Sequence, residues 1–277
     1  MTANRLTTRF AALAAEDRAA FVAYIMAGDP GIEASFDILA KLPAAGADII
    51  ELGMPFSDPM AEGPTIQRAA QRSLAAKTKM ADVLAMVARF RQQDDATPIV
   101  LMGYLNPVLF HGYEAFAAAA AKAGVDGMII VDCPPEEADP LADALDAVGV
   151  SLIRLAAPTT DDARLPAVVR RTSGFVYYVS VAGVTGVKEA VAASVAQPVQ
   201  RLRAASGLPV AVGFGIRTPE RAAEVARLAD GVVVGSALVD EIEGALNDGA
   251  NENVTERVLS KAAELAKAVR LARVRDA

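Results

Sequence analysis

The chain has 277 residues, is 53% hydrophobic but only 5% aromatic, contains no Trp, and carries a formal charge of −7. It therefore offers no basic face to nucleic acid or anionic lipid, and its apolar runs are too short to span a bilayer. A single cysteine, Cys133, rules out an internal disulfide, and Met1 to Leu13 has no apolar signal core, so a cytoplasmic location is expected.

Short apolar runs rich in β-branched residues recur along the chain, at Phe21 to Met26, Asp48 to Leu52, Pro98 to Met102, Asp126 to Val131, Ser151 to Leu155, Phe175 to Val179, Pro209 to Val212 and Gly231 to Val234. Segments with helical spacing separate them, such as Phe36, Leu39, Ala40 and Pro43 after the first run and Pro135 to Val148 after the fourth. Eight regular strand–helix units in about 250 residues favour a closed parallel (β/α)8 TIM barrel over an open doubly wound sheet. The expected organisation is a single α/β domain over residues 1–277. Extra helices are predicted at the N-terminus, around Phe10 and Leu13, and after strand two, where Thr65 to Leu74 and Met80 to Arg91 both have helical spacing. Another closes the chain after strand eight, with Val258, Leu265, Val269 and Ala272 on one face.

In such a barrel, chemistry gathers at the C-terminal ends of the strands. Glu51 ends the second apolar run and Asp132 follows the fourth. A carboxylate surrounded by apolar groups has a raised pKa and can act as acid and base near neutral pH, although a strand-end acid can equally cap a helix or pair with an arginine. All seven lysines fall outside the predicted strands, which disfavours a Schiff base inside the barrel. One histidine, His111 in the loop after strand three, and one cysteine cannot assemble a His- or Cys-rich zinc site; oxygen-only magnesium binding stays open on composition, but no acidic cluster of the needed density stands out. "GFGIRTPE" at Gly213 to Glu220 has Thr218 where a dinucleotide loop needs its third glycine. Glycine-containing loops do follow strands six, seven and eight, and they offer bare backbone amides to a phosphate; Gly186, Gly215, Gly235 and Ser236 are the candidates.

The stretch "ELGMPFSDPMAEGPTIQ" at residues 51–67 resembles the signature of the tryptophan synthase alpha chain family, E-L-G-x-P-[FY]-S-D-P-x-A-D-G-P-x-I-Q. Further matches run the length of the chain, among them "AGDP" at Ala27, "LMGYLNP" at Leu101, "GVDGMIIVDCPPEE" at Gly124, "YYVSVAGVTG" at Tyr177, "VGFGI" at Val212 and "GVVVGSALV" at Gly231. The resemblance implies cofactor-free, reversible retro-aldol cleavage of indole-3-glycerol phosphate into indole and glyceraldehyde 3-phosphate. By the same resemblance Glu51 is the mobile acid/base, and the second carboxylate, an aspartate in the family pattern, corresponds to Glu62. Tyr177 would lie near Glu51, while Tyr24, Met102, Ile129 and Phe214 would wall the indole. A beta chain, in an α2β2 heterotetramer making L-tryptophan, would dock against Pro55, Asp58, Asn106 and Pro134. Two other readings compete with the cleaving enzyme. One is another phosphate-binding barrel such as an indole-glycerol phosphate synthase, disfavoured by the absent strand lysines. The other is a regulatory subunit that binds substrate, is impaired by the Asp to Glu change at position 62, and activates its partner.

Overall fold

The computed structural model describes residues 4–180, 188–213 and 215–274. Nine parallel strands form one sheet: β1 (Ala20–Met26), β2 (Ile49–Gly53), β3 (Ile99–Gly103), β4 (Gly127–Ile130), β5 (Ser151–Leu152), β6 (Arg154–Ala156), β7 (Val176–Val179), β8 (Val210–Gly213) and β9 (Gly231–Val234). Their order, β5-β4-β3-β2-β1-β9-β8-β7-β6, is a ring whose two ends are consecutive pieces of chain. The result is a nearly closed parallel barrel wrapped by helices, as the eight strand–helix units predict.

One strand differs from expectation. The fifth run, Ser151 to Leu155, is broken at Ile153: β5 pairs with β4, and β6 pairs with β7. Ile153 still donates its N–H to Met128 O at 2.9 Å, so it is the point where the chain leaves one ladder for the next.

Strand parity builds two apolar layers. Inward residues Ala20, Val22, Ile49, Val100, Ile129, Phe175, Ala211 and Val233 fill the barrel interior, while their neighbours, such as Phe21, Ala23, Ile50 and Leu52, pack outward against the helices. With no Trp available, the floor is plugged from outside the sheet. Helix Arg5–Ala15 inserts Leu6, Phe10 and Leu13 into the interior cluster, and the Phe10 and Phe175 rings lie 5.5 Å apart. Because both faces of each strand are covered, the strands read as continuous apolar runs.

The predicted helices after strand two are Pro64–Ala75 and Met80–Arg91, the predicted closing helix is Val254–Leu271, and Ser236–Asn247 lies between β9 and it. The loop expected after strand three, around His111, is instead a short helix, Leu105–His111, with Pro107 within it. Proline sits there in the first turn, where its missing N–H has no intrahelical partner to lose. His111 therefore ends a helix, with Nδ1 2.8 Å from Pro107 O. No helix among the described residues is long and apolar enough to cross a membrane.

Candidate functional site

Inward-facing residues near the C-terminal ends of the strands stop filling space and enclose a cavity of about 500 Å³. On β2 the inward row reads Ile49, Glu51, Gly53: a floor residue, then a carboxylate, then a gap. Glu51 is opposite Tyr24 of β1 and Val100 of β3 in the ladder. Its side chain lines the cavity yet is only 1% exposed, and its Oε2 has no hydrogen-bond partner among the described residues. Desolvation, followed by the charge of Glu62, pushes the Glu51 pKa up to about 8.

Glu62 reaches the same cavity from the loop between β2 and helix Pro64–Ala75. Burial raises its pKa to about 7. Its loop is tied down at three places. Ala61 N–H donates to the Tyr104 hydroxyl at 2.9 Å, Glu62 N–H donates to Pro59 O at 3.2 Å, and Gln67 Nε2 donates to Glu62 O at 3.0 Å. Tyr104 itself stacks on Phe56, with ring centroids 5.1 Å apart. The longer side chain at position 62 thus still delivers its carboxylate into the cavity.

Two tyrosines complete the polar wall, and each depends on a glycine in the next strand. A Cβ on Gly53 would lie 2.3 Å from the Tyr24 hydroxyl, and one on Gly213 would lie 2.3 Å from that of Tyr177. Burial first, and the neighbouring carboxylates second, hold both phenols well above their usual pKa, so they remain hydrogen-bond donors.

Gly215, Gly235 and Ser236 lie together on another part of the wall. Gly215 has φ +73°, a left-handed conformation that glycine adopts without strain. At Gly235 a Cβ would approach the Tyr24 ring to 3.2 Å. Ser236 opens a helix of 12 residues, whose first-turn N–H groups favour an anion. Gly186 and Phe214 lie outside the described residues.

Met102 and Tyr24 line the cavity as expected, but Ile129 does not. It is fully buried in the interior cluster, and Val131, two residues further along on the same face, takes the wall position. The apolar wall also includes Leu155, Val179, Val233 and Ile66, which the sequence reading missed. Strand parity was the available signal, since Val131 and Val179 stand two beyond Ile129 and Tyr177. Arg217 was missed as well; it lines the cavity and pairs with Asp240, which also accepts from Thr65 Oγ1 at 3.1 Å. Asp132 has the humbler fate open to a strand-end acid, accepting the Leu105 N–H at 2.7 Å at the start of helix Leu105–His111.

Pro55, Asp58, Asn106 and Pro134 occupy the segments after β2, β3 and β4, on the rim around the cavity, with Asp58, Asn106 and Pro134 exposed. Large apolar side chains are exposed in the same segments: Met60 is 79% exposed and Phe110 86%.

The sequence model of the tryptophan synthase alpha chain family matches residues 10–270. The tryptophan synthase alpha chain of Caulobacter vibrioides (strain NA1000 / CB15N) is 72% identical over 274 residues, spanning 99% of either chain. That of Gluconacetobacter diazotrophicus is 56% identical over 272 residues, 98% of this chain and 99% of the relative. Among solved structures, tryptophan synthase subunit alpha from Legionella pneumophila str. Paris superposes with a TM-score of 0.90 at 42% identity, covering 97% of this chain and 99% of that one. Tryptophan synthase from M. tuberculosis gives 0.85 at 38% identity, covering 97% and 100%. With a parallel barrel, paired carboxylates at its C-terminal mouth and full-length similarity of this degree, the chain belongs to the tryptophan synthase alpha chain family.

Proposed function

We propose that this chain cleaves indole-3-glycerol phosphate to indole and glyceraldehyde 3-phosphate, the lyase reaction of the family's alpha subunit, with Glu51 and Glu62 as its acid–base pair. The observation that carries this reading is the buried carboxyl of Glu51, its Oε2 unpartnered among the described residues, sharing a cavity with Glu62, their pKa values raised to about 8 and about 7. Around neutral pH such a pair holds roughly one proton between them, and that proton resides mainly on Glu51.

Bond cleavage requires a proton on C3 of the indole ring, so that the breaking carbon–carbon bond can deliver its electrons to the positively charged ring nitrogen. It also requires removal of a proton from the glycerol hydroxyl, which becomes the aldehyde. Protonated Glu51 supplies the first and, once ionised, accepts the second, so the cycle returns it to its starting state. Ionised Glu62 accepts the indole N–H and stabilises the transient cation, a role that a preorganised charge performs well in a dry site. Tyr177 donates a hydrogen bond toward the reacting end, and the apolar wall of Met102, Val131 and Leu155 holds the ring. The amides at Gly215, Gly235 and Ser236 bind the phosphate.

The rim bearing Pro55, Asp58, Asn106 and Pro134, with the exposed Met60 and Phe110, is suited to a beta chain that receives indole in the cytoplasm. The reading as a catalytically impaired regulatory subunit is not favoured, since Glu62 keeps a charge in the cavity and relatives at 72% identity are named tryptophan synthase alpha chain. The deciding measurement is release of indole and glyceraldehyde 3-phosphate from indole-3-glycerol phosphate, by the purified chain alone and with a beta chain added. Slow cleavage that the partner accelerates is expected. Substrate binding with no product in either case would overturn the assignment.

A further inference from the structure

Five charged side chains are buried among the described residues: Asp29, Asp48, Glu51, Asp126 and Arg154. The three aspartates are each neutralised by an arginine, Asp29 by Arg72 at 2.7 Å, Asp48 by Arg18 at 3.0 Å and Asp126 by Arg91 at 2.7 Å. Glu51 is unpaired because the reaction uses it. Arg154 has no such account. It is 6% exposed, and its Nη1 is buried without a hydrogen-bond partner among the described residues. Arg154 hydrogen-bonds the neighbouring Cys133 thiol, but no carboxylate among the described residues pairs with it. A guanidinium cannot shed its charge as a buried lysine can, so leaving one desolvated and unmatched by an anion is strongly unfavourable.

Arg154 lines a second cavity, of about 370 Å³, at the C-terminal ends of β4 and β6. Val131 and Leu155 line both this cavity and the catalytic one, so the two are back to back. Glu136, whose charge Arg154 feels, is already held by Arg164 through bonds of 2.8 and 3.2 Å. Beside Arg154 in the lining, Thr160 accepts from Ala157 N–H at 3.1 Å and keeps its own O–H free to donate. The rest of the wall mixes apolar Ile130, Leu155 and Val168 with the Asp132 carboxylate and with Arg164, whose guanidinium Glu136 already holds.

We propose that this cavity is a second ligand site, specific for a small organic monocarboxylate with an apolar body, whose carboxylate pairs with Arg154 and Thr160. One buried guanidinium matches a single carboxylate. Asp132 disfavours a dianion such as phosphate, and the aliphatic side chains receive the ligand's apolar part. No residue of the catalytic pair takes part, so the site stands or falls independently of the cleavage reaction.

Cys133 lines the same cavity and is the only cysteine in the chain, which makes it a local reporter. Burial raises its thiol pKa, so alkylation is run at mildly alkaline pH. The full-length chain is treated with iodoacetate, itself a small carboxylate, and with neutral iodoacetamide. In each case the thiolate displaces iodide and the modified protein is counted by mass. The site predicts an iodoacetate-to-iodoacetamide rate ratio at least about tenfold higher in the wild type than in Arg154→Gln, with Arg154→Lys intermediate. Benzoate should slow both alkylations in the wild type only. Calorimetric titration with benzoate is run in parallel and decides the matter if Cys133 reacts with neither reagent: binding must weaken about tenfold or more in Arg154→Gln. Equal ratios, or benzoate binding indifferent to Arg154, would overturn the proposal. Protection of Cys133 by an added beta chain but not by benzoate would also overturn it, and would assign Arg154 to the protein interface.

Discussion

Glu51 on β2 and Glu62 on the loop that follows it face one cavity, and the charge of Glu62 helps to keep the Glu51 carboxyl protonated. The roles proposed for them require opposite protonation states, Glu51 as the acid and Glu62 as the anion. The kcat/KM of cleavage should therefore rise with pH through about 7, as Glu62 ionises, and fall through about 8, as Glu51 does. In Glu62→Gln the alkaline limb should move to lower pH, because Glu51 no longer feels a neighbouring charge. A pH–rate profile without an alkaline limb would remove Glu51 from the role of acid.

Glu51→Gln should reduce cleavage by at least about a hundredfold while leaving affinity for indole-3-glycerol phosphate within a few-fold. The same variant should gain stability relative to the wild type as pH rises. Between 4.5 and about 8 the folded wild type holds a proton on Glu51 that the unfolded chain has lost, so stability falls with increasing pH across that window. The limiting slope for one proton is about 1.4 kcal/mol per pH unit. Thermal unfolding at pH 5 and pH 9 measures this: the variant's advantage should be small at the lower pH and clear at the higher. An equal difference at both would show that Glu51 is not desolvated.

Gly213→Ala tests the way the tyrosine is seated. The new Cβ would lie 2.3 Å from the Tyr177 hydroxyl and 2.6 and 2.8 Å from its ring atoms, so the ring must move. Turnover should drop at least about tenfold with the fold retained, because small displacements of groups near the reacting atoms are expensive in rate. Unchanged kcat, with circular dichroism also unchanged, would take Tyr177 out of the site.

Ser236→Asp places a negative charge at the helix start where the substrate phosphate is expected. KM should rise at least about tenfold with little loss in kcat, since the lost interaction is made equally in ground and transition states. An unchanged KM would put the phosphate elsewhere.

Glu62→Asp restores the residue of the family pattern and shortens the side chain by one methylene. With the Glu62 carboxylate already in the cavity, the change in kcat should stay below about tenfold in either direction. A rise of several orders of magnitude would mean that the natural chain is impaired.

The barrel was legible because parallel strands covered on both faces leave continuous apolar runs, and eight of these alternate with helical spacing. Glu51 was legible for the complementary reason, as a charge at the end of such a run. Its neighbour Glu62 was legible only through the motif. The wall of the cavity was misjudged by one layer at Ile129, because parity tells which way a side chain points but not how far along the strand the packed floor ends. Arg154 passed unnoticed for a related reason: an arginine within an apolar run looks like a surface residue until the cover over it is seen. The break at Ile153 leaves no mark in composition, since Ile serves equally well inside a strand or at its interruption; what changes there is the identity of the hydrogen-bonding neighbour.

That break makes the barrel a ring with one clasp. Every other junction in the circle is a ladder between separate strands, but here the two ends meet through the covalent chain at Ile153, with Ile153 bonded to Met128 on one side and Leu152 to Ser173 on the other. The clasp lies beside Leu155 and Arg154, so the wall between the two cavities is also the place where the barrel closes.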